Sequence, residues 1–496
     1  MQFFLICLFG LLATAHAAPK SALRTVVLTD MEQDDLASLI RYLLYTNELD
    51  TQGIIYTTSR YHWAGDGNGT KFFLPDREYT SPQWTHRWTG TRTIQDVVLK
   101  AYAHVYPNLR VHDPFYPSPE ELLSSVHVGN IDFEGEMDHD TDGSDLIRSL
   151  LLDDDPRPLY LQAWGGTSTI ARALKSIESS NSTQIKDAVS RKAVILASGF
   201  QDETYANYIA PNWPAIRVVN LMAGYTTWGY NCNKGEGNTR GLPHSSLYFT
   251  GAWIKANIQT GPYGSLYRSW LDGQSMPGDA LDVFGDPPES ESQSSALWCQ
   301  PLDQYAFLSE GDNVAFNPLL TTGIEDPTNP SLGGWGGRST QNTTSPNLWT
   351  MTNSEKNETG AEVAGYTTSR WAAAVQNDFA ARMQWTLTAD YARANHAPAV
   401  QILNGTTVTA RPGETVTLAG SVDDPDEDAV TTSWWQFFEE GTYPGSVSVT
   451  AYGRHLARVR VPADAEIGHT VSIILQGTDN GSVPLTRYSR VFIHVV

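Results

Sequence analysis

Cysteine is almost absent from this 496-residue sequence, which has only Cys7, Cys232 and Cys299. Cys7 lies in an apolar leader, and the two that remain are too few for a metal cluster built on Cys ligands. In an oxidising compartment they either pair, closing one long loop, or stay as two buried thiols; pairing is the expectation. Basic residues are scarce as well: 33 Lys and Arg stand against 55 Asp and Glu, a formal charge of −22. A field of that sign repels polyanions and argues against nucleic acid and anionic membranes as partners. It suits cations and neutral polymers. No apolar run beyond the leader is long enough to cross a bilayer. Also missing are a phosphate-cradling Gly-Lys-Ser/Thr loop, a Gly-x-Gly-x-x-Gly fingerprint after the first strand, a His-Glu-x-x-His helix and a persuasive Ser-His-Asp order.

What is present begins with an export signal. Phe3 to Leu12 is apolar, and Ala15-His16-Ala17 fits a small-x-small cleavage pattern, so residues 1–18 are expected to be removed from a secreted, extracellular and soluble protein. Sequons begin at Asn68, Asn181, Asn342, Asn357, Asn404 and Asn480 and mark candidate glycosylated surface loops. The 15 Trp and 22 Tyr are enough to pack a large core and still leave rings for stacking on neutral sugars.

The hydrophobic pattern divides the rest into two domains. Thr25-Val26-Val27-Leu28 reads as a buried strand, and Leu36, Leu39, Ile40, Leu43 and Leu44 follow at helical spacing. Gly53 to Thr57 is the next strand, which makes a β-α-β unit and a parallel sheet. Leu159 to Trp164 and a helix from Thr169 to Ile177 repeat the pattern, and Ala193 to Ala197 and Ile216 to Asn220 add strands. A doubly wound, mostly parallel α/β domain is expected over 19–390. Past Asn395-His396-Ala397-Pro398 the chain turns to short alternating runs, such as Thr407-Val408-Thr409 and Thr415 to Leu418, separated by turns such as Asp423-Asp424-Pro425-Asp426. Residues 395–496 therefore read as a small all-β, immunoglobulin-like antiparallel sandwich. The stretch from Gly273 to Ser369, rich in Gly, Pro, Ser and Asn, reads as elaborated loop structure.

Ligands of a parallel α/β sheet bind at the carboxyl ends of its strands. Asp30, Glu32, Asp34 and Asp35 fall there, four carboxylates in six residues that repel one another unless protons or a cation intervene. An ordinary helix cap explains one of them and not the set. Hard oxygen ligands without neighbouring His or Cys point to Ca²⁺, or less readily Mg²⁺, rather than zinc. Trp164-Gly165-Gly166-Thr167-Ser168-Thr169 stands at a second strand end, where glycines let backbone approach a ligand. Ser309-Glu310-Gly311-Asp312-Asn313 is an acidic turn in the loop-rich stretch.

Three of these strings, with Asp142-Gly143-Ser144-Asp145 and Gly333-Gly334-Trp335-Gly336-Gly337-Arg338, join in a resemblance across essentially the whole mature chain. The chain resembles the cellulose-binding-protein family with a nucleoside-hydrolase-like domain and a C-terminal sandwich. That resemblance implies Ca²⁺ held by Asp30, Asp35, a backbone carbonyl near Ser168, and Asp312. It also implies Asp30 as the base for an attacking metal-bound water and Asp34 as a partner of a sugar hydroxyl. Hydrolysis of a glycosyl or N-glycosyl bond with inversion would follow. The chain departs from the nucleoside-hydrolase signature in three places. Met31-Glu32 replaces Pro-Gly, Leu28 replaces a leading Asp, and Gly311-Asp312 replaces a His-Asp pair. Loss of that His turns the expectation away from nucleosides and leaves Glu310 as the replacement acid. Glu32, His62, Trp63, Trp164, Asp202, Trp335 and Arg338 are further candidates for substrate contact. The alternative is a carbohydrate-binding protein whose hydrolase-like pocket and aromatic loops hold polymer without turnover.

Overall fold

The computed structural model describes residues 22–178, 182–221, 247–248, 250–269, 272–279, 310–352, 354–356 and 360–496. The expected leader, Cys232, Cys299, Ser309 and the sequons at Asn181 and Asn357 lie outside them.

Eight strands form the sheet of the first domain: β1 (Leu23–Thr29), β2 (Leu49–Tyr56), β3 (Val126–Val128), β4 (Leu159–Ala163), β5 (Ala193–Ala197), β6 (Arg217–Asn220), β7 (Ser339–Gln341) and β8 (Leu348–Met351). Their order is β3-β2-β1-β4-β5-β6-β8-β7, and every pair is parallel except the edge pair β7–β8. Successive side chains of a strand point to opposite faces, and here both faces are buried. Val27, Ile54, Tyr160 and Leu196 enter one large core, whereas Val26, Leu28, Ile55, Leu161 and Ile195 enter another. This is the doubly wound arrangement. The order reverses between β1 and β4, which opens a crevice at their carboxyl ends.

Helix α1 (Gln33–Leu43) leaves that crevice with Asp34 and Asp35 in its first turn and Arg41 in its last, signs that suit the helix dipole at both ends. Leu39, Ile40 and Leu43 bury its apolar face.

The antiparallel ribbon β9 (Ser354–Lys356) with β10 (Glu362–Ala364) and helix Ala372–Trp385 lead to the sandwich. One sheet of the sandwich contains β11 (Ala399–Ile402), β13 (Thr415–Asp423), β16 (Leu456–Arg460) and β15 (Ser448–Tyr452). The other contains β12 (Thr407–Ala410), β18 (Thr486–Val495), β17 (Thr470–Thr478) and β14 (Thr431–Gln436). Pairing is antiparallel apart from β12 with β18, which run parallel.

The sandwich is not a tethered appendage. Phe437, Ile474, Val483 and Tyr488 belong to the same continuous core as Trp371 and Phe379. Arg487 pairs with Asp378 at 2.7 Å, and the Tyr488 amide donates to the Thr322 carbonyl at 2.9 Å. Among the described residues, no helix is long and apolar enough to cross a membrane.

Candidate functional site

β1 ends at Thr29, and the chain must then turn sharply into α1. Met31 makes that turn in the left-handed region at φ 55°, an uncommon conformation for a residue with a side chain. Its amide donates to Thr29 Oγ1 and its carbonyl accepts from Thr89 Oγ1, both at 3.0 Å, which fixes the turn. Asp30 and Glu32 therefore flank a constrained residue at the head of the helix.

The turn buries Asp30, Asp34 and Asp35 together, and Asp312 arrives from the distant loop. Asp312 is steadied by its amide donating to Ser38 Oγ on α1 at 3.3 Å. Its neighbour Gly311 accepts from Ser198 Oγ, just beyond β5, at 3.0 Å. Both carboxylate oxygens of Asp30 are buried and accept no hydrogen bond. Asp35 accepts a short hydrogen bond from Thr29 Oγ1. Burial, then the charge of Asp30, pushes the Asp35 carboxyl well above the usual carboxylate range. Burial, then Asp34 and Asp30, does the same to Asp312. Glu32, Asp34 and Asp35 each offer an oxygen within 4.8 Å of the others. One divalent ion with oxygens at about 2.4 Å could touch all three.

The Gly165-Gly166 turn after β4 closes against this set. A β-carbon on Gly165 would lie 3.1 Å from Asp30 Cβ and 3.2 Å from its Cγ, so glycine lets the turn rest on the carboxyl.

Glu32 and His62 form a pair that the sequence concealed. His62 Nδ1 lies 2.6 Å from the Arg87 carbonyl, which can only accept, so Nδ1 carries a proton. Nε2 lies 2.6 Å from Glu32 Oε2. Burial and then Asp30 push Glu32 up to about 8, while burial and then Arg87 push His62 down. Both shifts favour a neutral pair in which the Glu32 carboxyl donates to His62 Nε2. Arg87 is itself clamped by Asp279, its Nη2 3.0 Å from Oδ2.

Other candidates are engaged elsewhere. Glu310 accepts from Arg41 Nε at 2.8 and 2.9 Å and from Asn313 Nδ2 at 2.7 Å, with both members of the ion pair fully buried. That is the bonding of a core ion pair, not of an acid facing a leaving group. Trp164 packs edge-on against Tyr42 and donates to Gln162 Oε1 at 3.1 Å. Trp63 is enclosed by Phe72, Tyr79 and Phe133. Trp335 is buried and lies beneath Arg487 of the sandwich, while Arg338 pairs with Glu355 at 3.2 Å.

Asp202 accepts from the Ser168 amide at 3.0 Å and from Thr167 Oγ1 at 3.1 Å. It thereby braces the start of helix Ser168–Glu178 rather than facing a substrate. Ser168 Oγ is 3.5 Å from the hydroxyls of Thr57 and Thr58, at the carboxyl end of β2. In Asp142-Gly143-Ser144-Asp145 the helix cap is the preceding Thr141, which accepts from the Ser144 amide at 3.2 Å.

Exposed rings come from residues that pattern reading passed over. Trp84 is 60% exposed and Phe73 is 41% exposed, on the same Tyr61–Gly90 segment that supplies His62 and Arg87. Arg87 and Asp279, which hold His62 in place, likewise carry no sequence motif.

Comparison with known proteins matches both domains to a family. Residues 24–339 match the family described as cellulose-binding Sde182, nucleoside hydrolase-like domain. Residues 415–495 match the cellulose-binding protein Sde0182 C-terminal domain. No curated protein matches. Among solved structures, a nucleoside hydrolase-related hypothetical protein from Saccharophagus degradans, associated with carbohydrate metabolism, is 28% identical. That match covers 96% of this chain and 100% of its own, with a TM-score of 0.69. The plant nucleoside hydrolase PpNRh1 is 10% identical over 74% of this chain and 99% of its own, with a TM-score of 0.34.

Proposed function

Because the chain belongs to the cellulose-binding Sde182 family, with its nucleoside hydrolase-like domain, we propose that it is a secreted, Ca²⁺-dependent hydrolase of glycosyl or N-glycosyl bonds in carbohydrates. The observation that carries the reading is Asp30, a buried carboxylate without a hydrogen-bond donor at the switch point of the sheet. A polar group so placed is costly unless a ligand completes it.

The donor set fits a hard divalent cation, since every side chain of the cluster offers oxygen. Asp30, Asp35 and Asp312 would hold it, with Glu32, Asp34 and the Ser168 carbonyl as the remaining oxygen donors. When bound, the ion supplies charge neutralisation and lowers the pKa of adjacent water.

The chain's own groups do the rest. Asp30 takes a proton from the attacking water as the water oxygen bonds to the anomeric carbon and the bond to the leaving group breaks. Asp34 orients a sugar hydroxyl, and the dense negative charge favours an oxocarbenium-like transition state. Direct attack by water inverts the anomeric configuration.

A second reading, carbohydrate binding without turnover, is favoured by exposed Trp84 and Phe73, which offer apolar faces to a sugar. A panel of nitrophenyl furanosides, nitrophenyl pyranosides and nucleosides separates the two. Turnover by the wild type that disappears in a folded Asp30→Ala variant is the expected result. No turnover by the wild type, with cellulose retention that Trp84→Ala abolishes, would replace hydrolysis with binding.

A further inference from the structure

A second acidic cluster lies in the sandwich, on the turn between β13 and β14. Asp424, Asp426 and Asp428 each offer a carboxylate oxygen within 4.8 Å of the others. Two oxygens bound to one Ca²⁺ at 2.3–2.6 Å stand at most about 5 Å apart, so the spacing admits a shared ion. The turn is rigid: Asp424 Oδ1 accepts from the amides of Asp426 and Asp428, both at 3.0 Å. The other oxygen, Asp424 Oδ2, is buried and has no donor.

Two side chains outside the turn, hydrogen-bonded to each other, carry buried oxygens without donors. Asp479 is 4% exposed; its Oδ1 accepts from Asn395 Nδ2 and from the Gly481 and Leu485 amides, all at 3.0 Å. Its Oδ2 is buried without a donor. Asn395, also 4% exposed, donates from Nδ2 to Asp479 and to the Val483 carbonyl at 2.9 Å, which fixes the orientation of its amide. Its Oδ1 is then a buried acceptor with no donor, in the side chain that lines a cleft with Asp426 and Asp428. Such acceptors are rarely left bare. The Ala429 amide donates to Asn480 Oδ1 at 2.9 Å, which holds the Asp479 turn against the Asp424–Asp428 turn.

We propose that this junction is a structural Ca²⁺ site in which Asp424, Asp426 and Asp428 share the ion, with Asn395 on the same cleft and Asp479 behind it. All five offer hard oxygen, and four are carboxylates, the donor set of Ca²⁺ rather than of a soft metal. The ion locks the segment that precedes β11 to the sandwich. Asn395 and His396 belong to that segment, and His396 already ties Asp426 to His112 of the α/β domain, at 3.0 Å on each side.

The test uses the EDTA-stripped full chain, with Ca²⁺ itself as the probe. Asp428 is the residue to change, because its carboxylate braces neither the turn amides nor His396. Equilibrium dialysis should find one Ca²⁺ equivalent fewer in Asp428→Asn than in wild type, or an affinity at that site roughly 10–100-fold weaker. In an Asp30→Asn background, which removes the crevice site, Tb³⁺ should still luminesce through the nearby Tyr391 ring. Adding Asp428→Asn should abolish that signal. Equal Ca²⁺ counts in wild type and Asp428→Asn would overturn the proposal, as would an Asp30→Asn protein that holds no lanthanide. Loss of the crevice site alone leaves this count intact, so failure of the hydrolase reading is separately visible.

Discussion

Gly165→Ala adds one methyl group against Asp30 and removes no chemical group from the crevice. Its β-carbon would stand 3.1 Å from Asp30 Cβ, 3.2 Å from Asp30 Cγ and 3.2 Å from the Thr58 carbonyl oxygen. Carbon atoms prefer about 3.5–4.0 Å, so Asp30 must retreat by a few tenths of an ångström. Gly165 is not in the left-handed region, and alanine adds no backbone strain. Overpacking of this kind costs about 1–2 kcal/mol. That would lower Tm by roughly 2–4 °C per kcal/mol in a domain of moderate size, and by less in a larger one. The functional effect should be larger in proportion. A displacement of about 1 Å can cost 100-fold in rate, so a few tenths should cost roughly 3- to 10-fold in Ca²⁺ affinity and kcat/KM. Gly166→Ala is the contrast. Its β-carbon would overlap Asp202 Oδ2, part of the brace on the next helix, and stand 2.6 Å from the Thr58 carbonyl, which accepts from the Gly166 amide. It should lose about 3 kcal/mol or more. Thermal unfolding with and without Ca²⁺, beside turnover on the best substrate of the panel, distinguishes the two. A folded Gly165→Ala with wild-type Ca²⁺ affinity and wild-type turnover would refute the placement of Asp30 in the working site.

Two further perturbations test the rest of the molecule. Glu310→Gln leaves Arg41 charged in a dry core and should destabilise the chain by about 3–5 kcal/mol in chemical denaturation, while Arg41→Met with Glu310→Leu recovers most of the loss. If Glu310→Gln instead keeps full stability and erases the basic limb of the pH–rate profile, Glu310 is the proton donor after all. Glu440, in the sandwich, is pushed up to about 7 because burial outweighs Arg490, 2.6 Å away. A raised carboxyl stabilises the fold fully below its unfolded value of about 4.5, and that contribution is lost as pH rises through 7. At most it amounts to about 3 kcal/mol. Glu440→Gln should therefore flatten the fall in Tm between pH 5 and 8, and an unchanged slope would contradict the assignment.

Legibility in the sequence followed the range of the interactions. Ala193–Ala197 could be read directly, because a strand buried on both faces is apolar throughout. The Asp30–Asp35 string was legible because a strand, a turn and a helix start lie within a dozen residues. β8 was not: Leu348–Met351 has no strong pattern, and its place beside β6 comes from the sheet edge that recruits it. Composition counted the tryptophans but could not sort them. Trp63, Trp164 and Trp335 pack inside, while Trp84 faces solvent. Glu310 looked like a site acid because its partner Arg41 is 269 residues away in the chain. The parallel β12–β18 pair brings the last strand beside one near the start of the sandwich, a register that alternation alone does not specify.

The charge balance of the crevice differs from that of the rest of the fold. Several buried carboxylates elsewhere in this fold are matched by arginine: Glu310 by Arg41, Asp279 by Arg87, and Asp378 by Arg382 and Arg487. At the end of β1 the pattern changes. Arg87 is the cation that lowers Glu32, yet its guanidinium is already committed to Asp279, and the leading influences on Asp35 and Asp312 after burial are other carboxylates. A fold able to pair an acid with an arginine several times over sets carboxylate against carboxylate where the sheet opens. Protonation could relieve Asp35 and Asp312 but would leave Asp30, with both oxygens buried and no donor, still incomplete. Stability alone would favour replacing such a group. Its presence argues for a ligand that supplies positive charge and takes oxygen donors, and a divalent cation satisfies both requirements at once.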